Sequence, residues 1–173
     1  GIYETTKGLV KYDGENVYDN PKVKEIIGYV ADENIMHPNF RVKDLIKFYK
    51  YSYTKFDEKK FKELNEIFKI PERKFIFQLS KGMKMRLSIM LAFSIHAKYL
   101  ILDEPTSGLD AILKNKLLKI FADEVYDNNT TIIISSHHLN ELERICDDVA
   151  ILDNGVISYE NSLENMKNKI KKI

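Results

Sequence analysis

The stretch Tyr99–Asp110, "YLILDEPTSGLD", decides how this chain folds. A short apolar strand, Tyr99 to Leu102, runs into two adjacent carboxylates, Asp103 and Glu104, and then into a Pro-Thr-Ser-Gly turn. Carboxylates at the end of a buried strand cost free energy unless hydrogen bonds or a cation replace the lost water. Consecutive strand side chains point to opposite faces, so Asp103 and Glu104 share a site only where the strand stops. Pro105 supplies that stop, because proline cannot continue a central strand.

Buried strands and helices alternate from this point on. Ile112 to Val125 reads as helix, Thr130 to Ile134 as strand, and Leu139 to Cys146 as helix with Cys146 on its apolar side. Val149–Leu152 and Val156–Tyr159 are strands joined at Asp153-Asn154-Gly155, a hairpin signal, and Leu163–Ile173 is a Lys-rich amphipathic helix. Upstream, a hairpin is predicted around Asp13-Gly14-Glu15-Asn16, and a short strand over Ile26–Val30. Two helical patterns follow, Val42/Leu45/Ile46/Tyr49 and Phe61/Leu64/Phe68. A third helix, N-capped by Ser80, carries Leu87, Met90, Leu91, Ser94 and Ile95 on one face. Continuous β-branched runs such as Thr130–Ile134 between helices predict a parallel sheet covered on both faces.

The 173 residues suit one domain with a substantial core. Lys and Arg total 27 against 26 Asp and Glu, which argues against a nucleic-acid partner. No stretch is apolar enough for a membrane span, and no signal peptide is expected. The single cysteine excludes an internal disulfide and fits a reducing compartment. The Tyr/Phe-rich run Phe48–Phe56 reads as helix packing, with a partner-facing surface as the alternative. His37, His96 and His138 lack a context that assigns them a role.

Ligands of open α/β sheets sit beyond the carboxyl ends of the strands. Three such ends carry polar groups: Asp32, Asp103-Glu104, and Ser135-Ser136-His137. A carboxylate pair and a histidine at one edge suit Mg²⁺ and a hydrolytic water.

In their order, "LSKGM" (Leu79–Met83), "YLILDEPTSGLD" and "TIIISSHHLNELE" (Thr131–Glu143) resemble the ATP-binding domain of ABC transporters. The resemblance extends over essentially the whole chain. It implies an α/β, P-loop NTPase-like domain with a helical subdomain over about 39–95, and 1–38 and 96–173 as the remaining core and C-terminal part. It also implies Mg²⁺ and ATP as ligands. Asp103 then orients the Mg²⁺ shell through water, Glu104 polarises the attacking water, and His137 contacts the γ-phosphate. Ser80, also an N-cap, and Gly82 meet the γ-phosphate of a nucleotide held by the opposite subunit. Asp110 lies in the D-loop, and Asp32 occupies the Q-loop position. These roles imply a head-to-tail dimer with a second ATPase subunit, homo- or heteromeric. They also imply a membrane-spanning transporter subunit as partner and a peripheral place on the cytoplasmic face.

Three positions depart from the family's usual residues. The signature, usually L-S-G-G-Q, has Lys81 at its first glycine and Met83 at its glutamine, and Asp32 stands where the Q-loop has glutamine. One element is missing from the sequence: none of the seven glycines precedes a lysine, so G-x-x-x-x-G-K-[ST], the phosphate-cradling loop, does not occur. The expectation is a domain truncated before Gly1, lacking its first strand and P-loop helix, that binds neither Mg²⁺ nor ATP tightly by itself. A non-catalytic interaction module and a non-transport ABC ATPase are the alternative readings.

Overall fold

Three parallel strands form the sheet from which the rest of the first unit hangs: β3 (Ile27–Val30), β4 (Tyr99–Asp103) and β5 (Thr131–Ser135), in that order. They precede or follow the remaining elements as β1 (Lys11–Tyr12), β2 (Glu15–Asn16), α1 (Pro21–Glu25), α2 (Val42–Ser52), α3 (Glu58–Phe68), α4 (Lys81–Ser94) and α5 (Ala111–Asn128). This computed structural model describes residues 4–33 and 36–170. The opening residues Gly1–Tyr3, at which the truncation reading is anchored, lie outside the described residues, as do the last three of the predicted C-terminal helix. The chain divides into two compact units, Gly1–Ser135 and Ser136–Ile173.

In the first unit the register is continuous. Gly28 pairs with Leu100 and Leu100 with Ile132, while Tyr29, Ile101 and Ile133 line up on the other face. The first face meets α4, whose Leu87, Ile89, Met90 and Leu91 have no exposed surface. Sequence periodicity gives α4 one apolar face, but Met85, Ile89, Ala92 and Phe93 are buried as well, so it is a core helix enclosed all round. Phe93 stacks on Phe121 of α5 with ring centroids 5.6 Å apart. Ser94, fully buried, satisfies its hydroxyl by donating to the Met90 carbonyl at 2.7 Å.

The opposite sheet face corrects an expectation. Tyr29 and Ile133 are each more than half exposed, so among the described residues of the first unit no element covers this face at those two positions. Two-sided coverage is a property of tertiary packing that a β-branched run signals only indirectly.

Helices α3 and α5 are tied by charge. The Lys60 ammonium is paired with the Glu124 carboxylate, which is only 4% exposed and also accepts from Thr130 Oγ1 at 3.4 Å. The first hairpin is tied similarly. Lys98 Nζ lies 2.7 Å from both Asp13 carboxylate oxygens, and Tyr99 Oη donates to Oδ1 at 2.7 Å. Its second strand is Glu15–Asn16, inside the predicted turn cluster, because Asp13 and Gly14 with positive φ complete the turn by themselves. In the Tyr/Phe-rich run, Tyr49 stacks on Tyr53 at 5.4 Å, while Phe48 and Tyr51 are exposed. Packing explains only part of that run.

The second unit contains α6 (Leu139–Leu142), the antiparallel pair β6 (Asp148–Asp153) and β7 (Val156–Ser162), and α7 (Leu163–Ile170). The hairpin turns at Asn154-Gly155, both with positive φ, as the sequence predicts. Helix α6 is shorter than the predicted Leu139–Cys146: the chain passes into turns after Leu142. Cys146 therefore sits outside the helix and is half-buried instead of in the core, with its thiol pushed up by burial and by Asp147.

Two outcomes are expected here. Lys60→Met leaves Glu124 buried without a counter-charge and should cost about 3–5 kcal/mol of unfolding free energy in urea. Lys60→Met/Glu124→Leu should recover most of that loss, whereas a single-variant cost below about 1 kcal/mol would mark a solvated pair. The hydrogen bond from Lys98 chiefly holds Asp13 below its ordinary 3.8, and the same bond raises Lys98 above 10.5. Asp13's contribution is complete above about pH 4 and is lost as pH falls through its lowered value; that of Lys98 is complete below about pH 10 and is lost as pH rises through its raised value. Amide protection of the hairpin should be flat between these limits, and Asp13→Asn should abolish the acid limb.

Candidate active site

The site begins with one register fact: Asp103 pairs with Ser135 across β4 and β5. Ser135 Oγ donates to Asp103 Oδ1 at 2.5 Å and accepts from the Glu104 N–H at 3.1 Å. The Ser135 carbonyl lies 3.2 Å from the same N–H. One hydroxyl thus sets the side chain of Asp103 and the backbone of Glu104. The backbone of Glu104 needs holding, since its φ is +46°, a left-handed conformation that costs a non-glycine residue about 1–3 kcal/mol. That turn out of the strand lets two adjacent carboxylates leave the sheet at one edge. Pro105 and Thr106 are buried, and the Ser107 N–H closes the turn on the Glu104 carbonyl at 3.0 Å.

The same turn continues to the start of α4. Gly108 adopts φ +72°, and a Cβ on Gly82 would stand 3.1 Å from the Gly108 carbonyl oxygen, so glycine at 82 permits this approach. Ser80 caps α4 by accepting from Met83 N–H at 3.2 Å, and Asp110 caps α5 by accepting from Leu113 N–H at 2.9 Å. Arg86, which sequence reasoning passed over, fixes the first turn of α4. Its Nε donates to the Gly82 carbonyl at 3.1 Å and Nη1 to the Phe68 carbonyl at 3.0 Å. Burial pulls its guanidinium below the ordinary value, and the Asp110 charge opposes that pull. An arginine inside a helical run carries no local signal of such distant partners.

The structure therefore brings Asp103, Glu104 and Ser135 together, and separately Gly82 with Gly108. Asp32 follows β3, which runs parallel to β4, so both strands end at the same edge. Its Oδ1 lies 3.0 Å from Lys81 Nζ. His137 belongs to the second unit, exposed, with its ring 4.0 Å from that of His138, whose N–H donates to Ser136 Oγ. His96 lies 3.2 Å from Asp57, the N-cap of α3, which is a structural pairing.

Among the described residues no group of three or more His, Cys, Asp or Glu is arranged to hold a metal. A cation at this edge would take one or two carboxylates and complete its shell with water and phosphate oxygens. That division of ligands, all hard oxygen, is the one Mg²⁺ favours. Among the described residues no helix is long and apolar enough to cross a membrane.

Polar groups gathered at the carboxyl edge of a parallel sheet stand where open α/β proteins hold their ligands. Comparison with known proteins narrows this. The family profile described as ABC transporter matches residues 1–107, and the chain belongs to that family, as part of its ATP-binding domain. It is 34% identical over 166 residues to the ABC transporter ATP-binding protein YtrB of Bacillus subtilis, covering 96% of this chain and 57% of that protein. It is 29% identical to the bacitracin transport ATP-binding protein BcrA of Bacillus licheniformis, covering 99% of the chain and 57% of the relative. The chain thus spans little more than half the length of these relatives. Among solved structures, an ATP-binding subunit of an ABC transporter superposes with a TM-score of 0.87 at 24% identity, covering 99% of this chain and 73% of that one. A dimeric cassette, MJ0796, bound to ADP and Pi, superposes with a TM-score of 0.80 at 18% identity, covering 94% and 76%. These likenesses show the α/β fold of that ATPase.

On the ATPase reading proposed below, Ser135→Ala should lower turnover in the whole protein by about tenfold, the effect of losing roughly 1.4 kcal/mol of positioning. Nucleotide affinity, measured by calorimetry, should change less than about threefold. Loss confined to affinity would place Ser135 outside the catalytic alignment.

Proposed function

We propose that the whole protein is the MgATP-hydrolysing subunit of a membrane transporter. The observation that carries this reading is the Ser135 hydroxyl, which orders Asp103 and Glu104 in one hydrogen-bonded unit at the carboxyl edge. Mg²⁺, when bound, neutralises charge on the triphosphate. Asp103, held by Ser135, would hold the ion, directly or through water. Glu104 accepts a hydrogen bond from the attacking water and aims it at the γ-phosphate, a positioning and general-base task. His137 contacts the γ-phosphate in the switch role.

Ser80 and Gly82, at the start of α4, face the terminal phosphate of a nucleotide bound to a second ATPase subunit, with Asp110 at the same head-to-tail interface. The close packing of Gly82 on Gly108 supports this, since it makes the start of α4 and the turn into α5 one surface. Residues 39–95 act as the helical subdomain through which the membrane-spanning partner is driven, and residues 1–38 and 96–173 form the remaining core.

The sequence contains no G-x-x-x-x-G-K-[ST], and the chain covers 57% of its relatives. The activity is accordingly proposed for the whole protein, with the phosphate cradle outside these 173 residues. The isolated 173-residue chain acts as a non-catalytic module. Calorimetry should detect no micromolar MgATP binding to it; such binding would contradict this division.

Glu104→Gln in the whole protein should cut turnover by about 10²–10⁴-fold, the usual contribution of a positioned general base. MgATP affinity should be kept. Undiminished hydrolysis would remove Glu104 from the role given to it.

A further inference from the structure

The two charged departures from the family's usual residues face each other. Lys81 stands at a position the resemblance gives to glycine, Asp32 at the one it gives to glutamine, and Lys81 Nζ lies 3.0 Å from Asp32 Oδ1. A neutral pair has become a charge pair at both ends. That Oδ1 is shut off from solvent and accepts no well-aligned hydrogen bond, so the ammonium supplies its compensating charge. The Lys81 side chain is nonetheless 60% exposed, which makes the contact easy to open. Ion pairs this exposed favour the closed form by a factor of only about 1.4–5.

The pair joins two parts that are otherwise held differently. Lys81 is the first residue of α4, whose opening turn is fixed by Arg86 and by Gly82 against Gly108. Asp32 belongs to the segment leaving β3. The salt bridge therefore ties the strand-end segment to an already rigid helix start.

We propose that Lys81 and Asp32 form a nucleotide-released tether. Without nucleotide the ammonium rests on Asp32 and pins the segment after β3 to α4. A nucleoside triphosphate arriving at the start of α4, a step that rests on the ATPase reading above, brings several negative charges against the single one on Asp32. The lysine turns to the terminal phosphate, and the segment after β3 is let go. Binding at one end of α4 is thereby reported at the end of β3 through a charge exchange between two side chains of this chain.

Hydrogen exchange of the amides of residues 31–33 in the whole protein tests this. Without nucleotide, Asp32→Asn and Lys81→Met should each speed exchange by about 1.4–5-fold. The double variant should add nothing to either single change, and Asp32→Lys/Lys81→Asp should restore slow exchange. In saturating MgATP, with turnover blocked by Glu104→Gln, the segment should exchange quickly whether or not the pair is intact. Additive or absent effects without nucleotide overturn the tether, as does coupling that persists undiminished with MgATP. Calorimetry on the same samples separates the two readings. A whole protein that binds no MgATP overturns the ATPase reading and the release step with it, while the nucleotide-free cycle still decides the tether.

Discussion

The hydroxyl of Ser135 sits between two residues that would otherwise compete. Asp103 accepts from it and the Glu104 backbone donates to it, so the last pair of the β4–β5 ladder also organises the site. Without in-register parallel pairing the serine would not stand opposite Asp103. Without the hydroxyl, the Glu104 N–H at the left-handed turn would keep only the Ser135 carbonyl as its acceptor. A one-residue slip of β5 would send Ser135 to the wrong position and turn its apolar side chains to the opposite face. The register that buries Leu100 and Leu102 is thus the register that builds the acid pair.

Around this edge, the first unit is held by ties between residues far apart in sequence. The enclosed helix α4 fills the space against the sheet, and its start is bound to the end of α3 by Arg86 and to the turn before α5 by the contact of Gly82 with Gly108. Lys60 and Glu124 link α3 with α5. An apolar core gives these elements stability, but it is the polar ties that fix where the helix start lies. The proposed site shared with a second subunit would demand such fixing, because a helix start displaced by an ångström would no longer meet a phosphate.

Much of this was legible in the sequence. "YLILDEPTSGLD" marks the strand, its stop and the acid pair, and Asn154-Gly155 marks the hairpin, because both depend on residues next to one another. The N-cap Ser80 is local in the same sense. What the sequence did not disclose is whatever requires two distant residues to meet: Arg86 with Phe68, Lys60 with Glu124, Lys81 with Asp32. The departures at 32 and 81 were visible one at a time, but their pairing was not. Burial depends on distant residues in the same way. Ile133 lies in an apolar run yet is exposed, and Cys146 has apolar neighbours in sequence but lies beyond the end of its helix.

On the proposed reading, Asp103 organises a catalytic cation at the carboxyl edge of the sheet. Anomalous diffraction from the whole protein, crystallised with Mn²⁺ in place of Mg²⁺ and a non-hydrolysable ATP analogue, tests it most directly. One Mn²⁺ peak is expected beside Asp103, bound to it directly or through one water, and close to the terminal phosphates. A nucleotide-bound Mn²⁺ with Asp103 and Glu104 outside its first two ligand shells would contradict it.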